Sequence, residues 1–141
     1  MLSSNSSIMA LDVGGRRIGV AMANAIALIA HPLATIENTD DIYAVIQKLI
    51  DSEDVAMLVV GLPRGLEGQH TDQTRAVEAF VDALKKHISI PIHWQDEALT
   101  SQKAEAELQA RGVAYKKGEV DALAATYILD DFLGDHPEVR T

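Results

Sequence analysis

The hydrophobic pattern of the N-terminal region predicts three short strands. Ile8–Val13 and about Ile18–Ala23 are apolar runs rich in β-branched and aliphatic residues, and the Gly14-Gly15 pair between them is typical of a tight turn. We expect a third strand between Ala27 and Glu37, interrupted or shifted by Pro32, which has no N–H to donate to a ladder. These three strands should form an antiparallel meander.

The pattern then changes to the helical period. Thr39, Asp40 and Asp41 supply a cap and first-turn acids for a helix whose apolar residues fall on one face. That face consists of Ile42, Val45, Ile46, Leu49 and Ile50. A continuous apolar run at Val55–Gly61 follows, as expected for a central parallel strand covered on both faces.

The C-terminal half repeats the alternation of helix and strand. After a Gly/Pro-containing loop, a helical stripe comprises Ala76, Val77, Phe80, Val81, Leu84 and Ile88. We expect a strand at Ile90–Trp94, ending in Gln95-Asp96-Glu97, and then a short helix through about Ala110 that Thr100 or Ser101 can cap. A basic loop from Arg111 to Gly118 leads to the last helix, which is expected to begin near Glu119.

This order of elements predicts an α/β fold. A meander that leads into βαβ units gives a five-stranded mixed sheet, with three antiparallel strands followed by two parallel strands and helices on both faces. We expect a disordered lead-in at residues 1–7, a single domain at 8–134 and a tail at 135–141.

Composition and charge narrow the class of protein. The 141 residues include no cysteine, which excludes disulfides and thiolate metal sites, and no apolar run of membrane-spanning length. The start of the chain has no signal-like apolar core, so a cytoplasmic protein is the default expectation. The net charge of −9 counts against a generic nucleic-acid binder, although divalent cations can supply positive charge locally.

Three acidic residues are candidates for chemistry because of their positions on these elements. Asp12 lies near the end of the first strand, where burying an acid is costly unless it is hydrogen-bonded or metal-bound. Either Asp96 or Glu97 can share a face with Asp12, but not both. Asp121 lies in the first turn of the last helix, at the edge of its apolar stripe.

Each acid also has an ordinary structural explanation when it is considered alone. Asp12 can bond the backbone of the Gly14-Gly15 turn, and adjacent acids before Thr100 can occupy a loop and a helix start. Asp121 can complement the helix dipole. Together, however, Asp12, Glu97 and Asp121 offer hard oxygen ligands that favour Mg²⁺ or Mn²⁺. Such ions can activate water and stabilise the leaving oxygen in phosphodiester hydrolysis.

Four segments of the chain resemble, in order, the motif regions of the YqgF-type family of pre-16S ribosomal RNA nucleases and Holliday-junction-resolvase-like proteins. They are ALDVGGRRIGVAMA, VVGLPRGLEG, DEALTSQKAEAEL and VDALAATYIL, and the resemblance runs from Ala10 to about Leu133. It implies an RNase H-like fold and phosphodiester hydrolysis that depends on a divalent metal. It also places the acidic residues of the family at Asp12, Glu97 and Asp121.

The chain departs from the family pattern at two positions. Ala98 stands where an Arg usually follows the Asp-Glu pair, and Gly65 stands where an Asn is usual. An Arg beside carboxylates can bind a phosphate bidentately, a role that Ala cannot fill. Arg16 or Arg64 are candidates to replace it. The residues expected to contact nucleic acid are Arg16, Arg17, Arg64, Lys116 and Lys117, although a solvated loop also explains the last two.

Three functional hypotheses follow. The first is a nuclease that acts on structured RNA, at the 5′ end of the pre-16S rRNA, with a DNA junction as the less favoured substrate. The second is a non-catalytic module that binds RNA, the ribosome or transcription partners, motivated by Ala98, Gly65 and the negative charge. The third is an actin-like ATPase relative, for which 141 residues are too few to supply a second large domain. The chain is expected to be a monomer or a homodimer.

Overall fold

The computed structural model describes residues 5–64, 68–97, 106–112 and 117–140, with the side chains of residues 117 and 140 excepted. Strands β1 (Ser7–Val13), β2 (Arg17–Asn24) and β3 (His31–Glu37) precede helix α1 (Ile42–Ser52), strand β4 (Val55–Pro63), helix α2 (Asp72–Leu84) and strand β5 (Ile92–Glu97). Residues 106–110 are helical. Helix α3 (Lys117–Asp135) and a 3₁₀ turn (Pro137–Arg140) end the chain.

The strands form one mixed sheet in the order β3-β2-β1-β4-β5. The pairs β1–β2 and β2–β3 are antiparallel, whereas β1–β4 and β4–β5 are parallel. This confirms the predicted five-stranded sheet with three antiparallel and two parallel strands. The central strand β1 and its parallel neighbour β4 are strongly apolar, as expected for strands that are covered on both faces.

Alternation along β1 divides the core into two layers. Met9 and Leu11 pack in a cluster with residues of α1 and α2, whereas Ile8 and Ala10 pack in a second cluster with residues of α3. Helices therefore cover both faces of the sheet, as predicted. None of the helices within the described residues is long and apolar enough to cross a membrane.

Helix α3 crosses its face of the sheet from β3 to β5. At its N-terminal end, Thr35 Oγ1 on β3 donates to the Gly118 carbonyl at 2.5 Å. At its C-terminal end, Gln95 Nε2 on β5 donates to Asp135 Oδ2 at 3.0 Å. Because these contacts fix both ends of the helix, the residues between them have defined positions above β2, β1 and β4.

The predicted disorder of residues 1–7 is wrong for the last two of them. Ser6 and Ser7 are buried, and Ser7 begins β1. The Ser7 N–H donates to the Asp54 carbonyl at 2.9 Å, and the Ala25 N–H donates to the Ser6 carbonyl at 2.9 Å. These partners lie far along the chain from the serines, so a local polar composition cannot reveal them. At the other end, Val139 of the expected tail packs against the core cluster of α3.

The helix boundaries also differ in detail from the expectations. The N-cap of α1 is Asp41, one of the residues predicted to supply the cap, although its side chain makes no capping hydrogen bond. Thr39 Oγ1 donates to Asp41 Oδ1 at 2.5 Å. The predicted first-turn acids are wrong, because no acidic residue lies in the first turn of α1. Ile88 lies beyond α2, which ends at Leu84, and α3 begins at Lys117 rather than near Glu119.

Pro32 shifts the pairing of the edge strand, as predicted. Ala21 of β2 pairs with Pro32 while the preceding Val20 pairs with Ala34, so Leu33 is an extra residue in β3. A proline cannot donate to the ladder and is confined to edge strands or bulges. The predicted capping of a helix by Thr100 or Ser101 lies outside the described residues.

Candidate functional site

Asp12 lies on β1 between two glycines. Its antiparallel partner on β2 is Gly19. On β4, Gly61 follows Val60, the partner of Leu11, and is therefore level with Asp12. Because residues level with each other in a sheet point to the same face, no side chain flanks Asp12 on either neighbouring strand. The carboxylate thus stands in a gap on the face that α3 covers.

The same two glycines let α3 approach the sheet closely. A Cβ atom at Gly19 would overlap the carbonyl oxygen of Asp121, and a Cβ atom at Gly61 would overlap the side chain of Ile128. Gly19 therefore brings the backbone at Asp121 against β2, directly beside Asp12. Sequence reasoning missed both glycines as positioning residues, although a glycine inside a strand often marks close approach of another backbone.

The negative charge of Asp121 acts on the carboxyl group of Asp12. The pKa of Asp12 is raised from 3.8 to about 6. Burial is the larger cause of this rise, and the negative charge of Asp121 is the smaller one. Burial and a neighbouring like charge both disfavour the ionised form of a carboxyl group. The structure therefore brings together two of the three predicted acids, Asp12 and Asp121, in a partly buried site.

Arg17 forms an ion pair with the second of these acids. Its Nε donates to Asp121 Oδ2 at 2.6 Å, and the two side chains are 38% and 21% exposed. Arg17 begins β2 and lies two residues before Gly19, so both residues face α3. Arg17, one of the residues predicted to contact nucleic acid, thus neutralises part of the negative charge of the acidic pair in this structure.

Glu97 shares the face of Asp12 but lies farther along the sheet. On β5, Gln95 is level with Gly61, and Glu97 follows two residues later, beside Pro63. One carboxylate oxygen of Glu97 is buried. In the described part of the chain, no group of three or more acidic or histidine side chains is arranged to hold a metal ion. Of the three predicted acids, Asp12 and Asp121 therefore form a pair, and Glu97 lies apart from them.

The carboxylates of Asp12 and Asp121 nevertheless fit Mg²⁺ or Mn²⁺, the ions that the sequence indicates. Mg²⁺ usually keeps several of its water ligands and is bound through one or two carboxylates. Asp12 and Asp121 supply such hard oxygen ligands on adjacent elements, in a gap between glycines. The donor chemistry of the pair is therefore compatible with Mg²⁺ or Mn²⁺.

The other residues predicted to bind nucleic acid are less closely connected to this pair. Arg64 Nε donates to Asp96 Oδ1 at 3.1 Å, and by alternation Asp96 lies on the opposite face from Glu97. Arg16 is exposed in the turn between β1 and β2. The side chain of Lys117, and all of Lys116, Ala98 and Gly65, lie outside the described residues.

The sheet order and the helices on both faces define an RNase H-like α/β protein. Two solved structures support the fold. T. thermophilus RuvC in complex with a Holliday junction substrate aligns with a TM-score of 0.51 at 15% identity, over 92% of this chain and 95% of that chain. The fowlpox virus Holliday junction resolvase aligns with a TM-score of 0.51 at 9% identity, over 92% of this chain and 98% of that one.

The family is shown by sequence. The family model described as "RuvX: Holliday junction resolvase" matches residues 6–135, and the chain belongs to this family. A protein of Chloroflexus aggregans named "Putative pre-16S rRNA nuclease" is 42% identical, over 92% of this chain and 94% of that protein. A protein of the same name from Gloeothece citriformis is 39% identical, over 94% of this chain and 90% of that protein. These matches confirm the resemblance that the four motifs indicated.

Proposed function

We propose that this protein is a divalent-metal-dependent nuclease that hydrolyses phosphodiester bonds at the Asp12–Asp121 pair. The observation that carries the proposal is the raised pKa of Asp12 beside a second carboxylate, in a site that glycines on β2 and β4 leave open. Strongly perturbed carboxyl groups that converge in one place are typical of functional sites. Membership of the RuvX family and the names of the two relatives support the same class of reaction.

Asp12 and Asp121 would hold Mg²⁺ or Mn²⁺, which when bound activates water and stabilises the leaving oxygen. With a pKa of about 6, the Asp12 carboxyl is largely ionised at neutral pH and available as a ligand. Glu97 approaches the same face from β5, and we propose that it contributes to the site when nucleic acid is bound. We propose that Arg16, in the turn before β2, and Arg17, at the start of β2, contact phosphates of the substrate.

The substrate that we favour is structured RNA, specifically the 5′ end of the pre-16S rRNA. The names of the relatives that share about 40% identity support pre-16S rRNA as the substrate. The net charge of −9 fits an enzyme that binds nucleic acid locally, through a metal and a few basic side chains, rather than through a broad basic surface. Such an enzyme would work in the cytoplasm on ribosome precursors.

A four-way DNA junction is the second candidate substrate. The description of the matching family as a Holliday junction resolvase favours it. A junction has two-fold symmetry, so two-fold assembly of the protein would suit this activity.

The proposal is tested by cleavage assays with Mg²⁺ or Mn²⁺, on a pre-16S RNA carrying its 5′ extension and on a four-way DNA junction. We expect the Asp12→Asn and Asp121→Asn variants to lose activity by about 100-fold or more, because each removes a charged ligand. Asp51→Asn is the matched control, since Asp51 is an exposed acid on α1, on the other side of the sheet. Wild-type activity in Asp12→Asn would contradict the proposal, whereas absence of cleavage by the wild type would favour a non-catalytic binding module.

A further inference from the structure

We propose that Arg17 is a built-in counter-ion of the acidic pair, which a divalent cation displaces from Asp121 so that its guanidinium can bind a substrate phosphate. This inference rests on the proposed nuclease function and assigns a role to a residue within the same site. It starts from the 2.6 Å contact between Arg17 Nε and Asp121 Oδ2.

In the absence of metal, the Arg17 guanidinium supplies a positive charge beside the Asp12–Asp121 pair. Asp12 and Asp121 repel each other when both are ionised, as the effect of Asp121 on Asp12 shows. Among the described residues, Arg17 is the only basic side chain that forms an ion pair with either acid. A metal ion bound between the same carboxylates would therefore compete with the Arg17 guanidinium for Asp121.

The ion pair is built in a way that permits exchange. In the part of the chain that the structure covers, Arg17 contacts Asp121 through Nε alone, rather than through a two-point fork. The Arg17 side chain is 38% exposed, and exposed ion pairs contribute little to stability. The Asp121 side chain is 21% exposed and is held by the packing of its helix backbone on Gly19. The arginine can thus leave while the acid stays in place.

The released guanidinium has a suitable second partner in the proposed substrate. A planar guanidinium can bind two oxygens of a phosphate at once. The contact of Arg17 with Asp121 through Nε alone does not use this two-point geometry. Arg17 adjoins the turn that carries the exposed Arg16, so a nucleic-acid backbone that reaches the acidic pair passes both residues. Metal binding and phosphate binding would then favour each other, because each removes Arg17 from Asp121.

Calorimetric titration with Mn²⁺ in the absence of nucleic acid tests whether Arg17 competes with a divalent cation for the acidic pair. We expect Arg17→Gln to bind Mn²⁺ about fivefold or more tightly than the wild type, because the competing cation is gone. Arg75→Gln is the matched control, since Arg75 forms an ion pair with Asp72 at the same distance of 2.6 Å, on α2. Its Mn²⁺ affinity should equal that of the wild type. Thermal unfolding of each variant checks that it is folded.

Displacement of Arg17 from Asp121 by a metal ion is tested by nitrogen NMR of the Arg17 Nε–H group in the wild-type protein. The hydrogen bond to Asp121 should protect this proton from exchange without metal, and saturating Mg²⁺ should remove the protection. If the wild type binds Mn²⁺ and Arg17→Gln binds it equally or more weakly, the inference is overturned and the proposed function stands. Absence of Mn²⁺ binding in both proteins would overturn the metal-dependent function together with the inference. Binding by the variant alone would support the competition directly.

Discussion

On the face of the sheet that α1 and α2 cover, the strands present large side chains such as Met9, Leu11 and Leu58, all fully buried. On the face that α3 covers, much of the space is occupied by small residues instead. These are Ala10, Gly19, Ala21, Ala23 and Gly61. The first face buries large apolar side chains, which is the main source of folding free energy. The second lets a helix backbone lie close to the strands, so that charged groups on helix and sheet can meet.

The comparison explains why a carboxylate with a perturbed pKa is found on only one of the faces within the described residues. Asp12 is costly to bury, and its pKa of about 6 records that cost. Large side chains on β2 and β4 would hold α3 away and leave Asp12 without Asp121. The small residues that let α3 lie close to the strands therefore also create the candidate site.

Leu58→Ala should have the largest effect on stability and should leave the site intact. Leu58 is fully buried in the layer of α1 and α2, and removing its side chain should lower the free energy of unfolding by about 2–5 kcal/mol. Denaturant unfolding measures this loss. The Mn²⁺ affinity of the folded variant should match that of the wild type, and a large change in affinity would show that the two faces are not separable.

Asp12→Asn should alter how stability depends on pH. The folded pKa of Asp12 is raised, so its protonated form favours folding, and the free energy of unfolding of the wild type should fall as the pH rises from 3.8 to about 6. A pKa difference of this size corresponds to about 3 kcal/mol.

The Asn variant lacks this titration. In chelator at pH 8 it should therefore be more stable than the wild type by as much as about 3 kcal/mol, while the two proteins should be equally stable below pH 3.8. Equal stability of the two proteins at both pH values would mean that Asp12 is not destabilised by its surroundings. Urea unfolding at a series of pH values is the measurement.

Gly19→Ala should separate α3 from the sheet. The new Cβ would overlap the Asp121 carbonyl, which is backbone and cannot rotate away, so we expect a loss of stability of about 1–3 kcal/mol. Mn²⁺ binding should be lost as well, because Asp121 moves away from Asp12. Gly15→Ala is the control, since no atom lies near a Cβ at that position. If Gly19→Ala binds Mn²⁺ as the wild type does, the close approach of α3 does not position the site.

Thr71→Ala should have the smallest effect of the four. Thr71 caps α2, accepting from the Thr74 N–H at 3.2 Å while Thr74 Oγ1 accepts from the Thr71 N–H at 3.0 Å. Loss of a cap of this kind costs about 1 kcal/mol. The capped helix lies on the face of α1 and α2, so cleavage activity should be unchanged when the variant is assayed well below its unfolding temperature. Reduced activity in the fully folded variant would connect α2 to the site.

Local sequence patterns were sufficient to predict the architecture and much of the site. The apolar runs of β1 and β4 and the helical stripes of α1 and α2 are strong periodic signals, and they specify the mixed sheet. Asp12 and Asp121 could be selected because each acid interrupts or borders an apolar pattern. Their proximity in the structure agrees with that selection, while the roles of the predicted catalytic residues stay predictions.

The features that the sequence could not reveal depend on contacts between distant segments. The ion pair of Arg17 joins residues 104 positions apart, and the fit of α3 on Gly19 depends on the path of the helix across the sheet. Ser6 and Ser7 look like a polar lead-in until their hydrogen bonds to Ala25 and Asp54 are seen. Such partners are set by tertiary packing, which no local pattern encodes.

The most direct test of the account is a titration of the Asp12 carboxyl carbon by NMR, with and without Mg²⁺. The account predicts a pKa of about 6 in the metal-free protein, and a marked fall of that pKa at saturating Mg²⁺, because a bound cation favours the ionised carboxylate. A pKa near 3.8 that Mg²⁺ does not change would contradict it, since Asp12 would then be neither buried beside Asp121 nor a metal ligand.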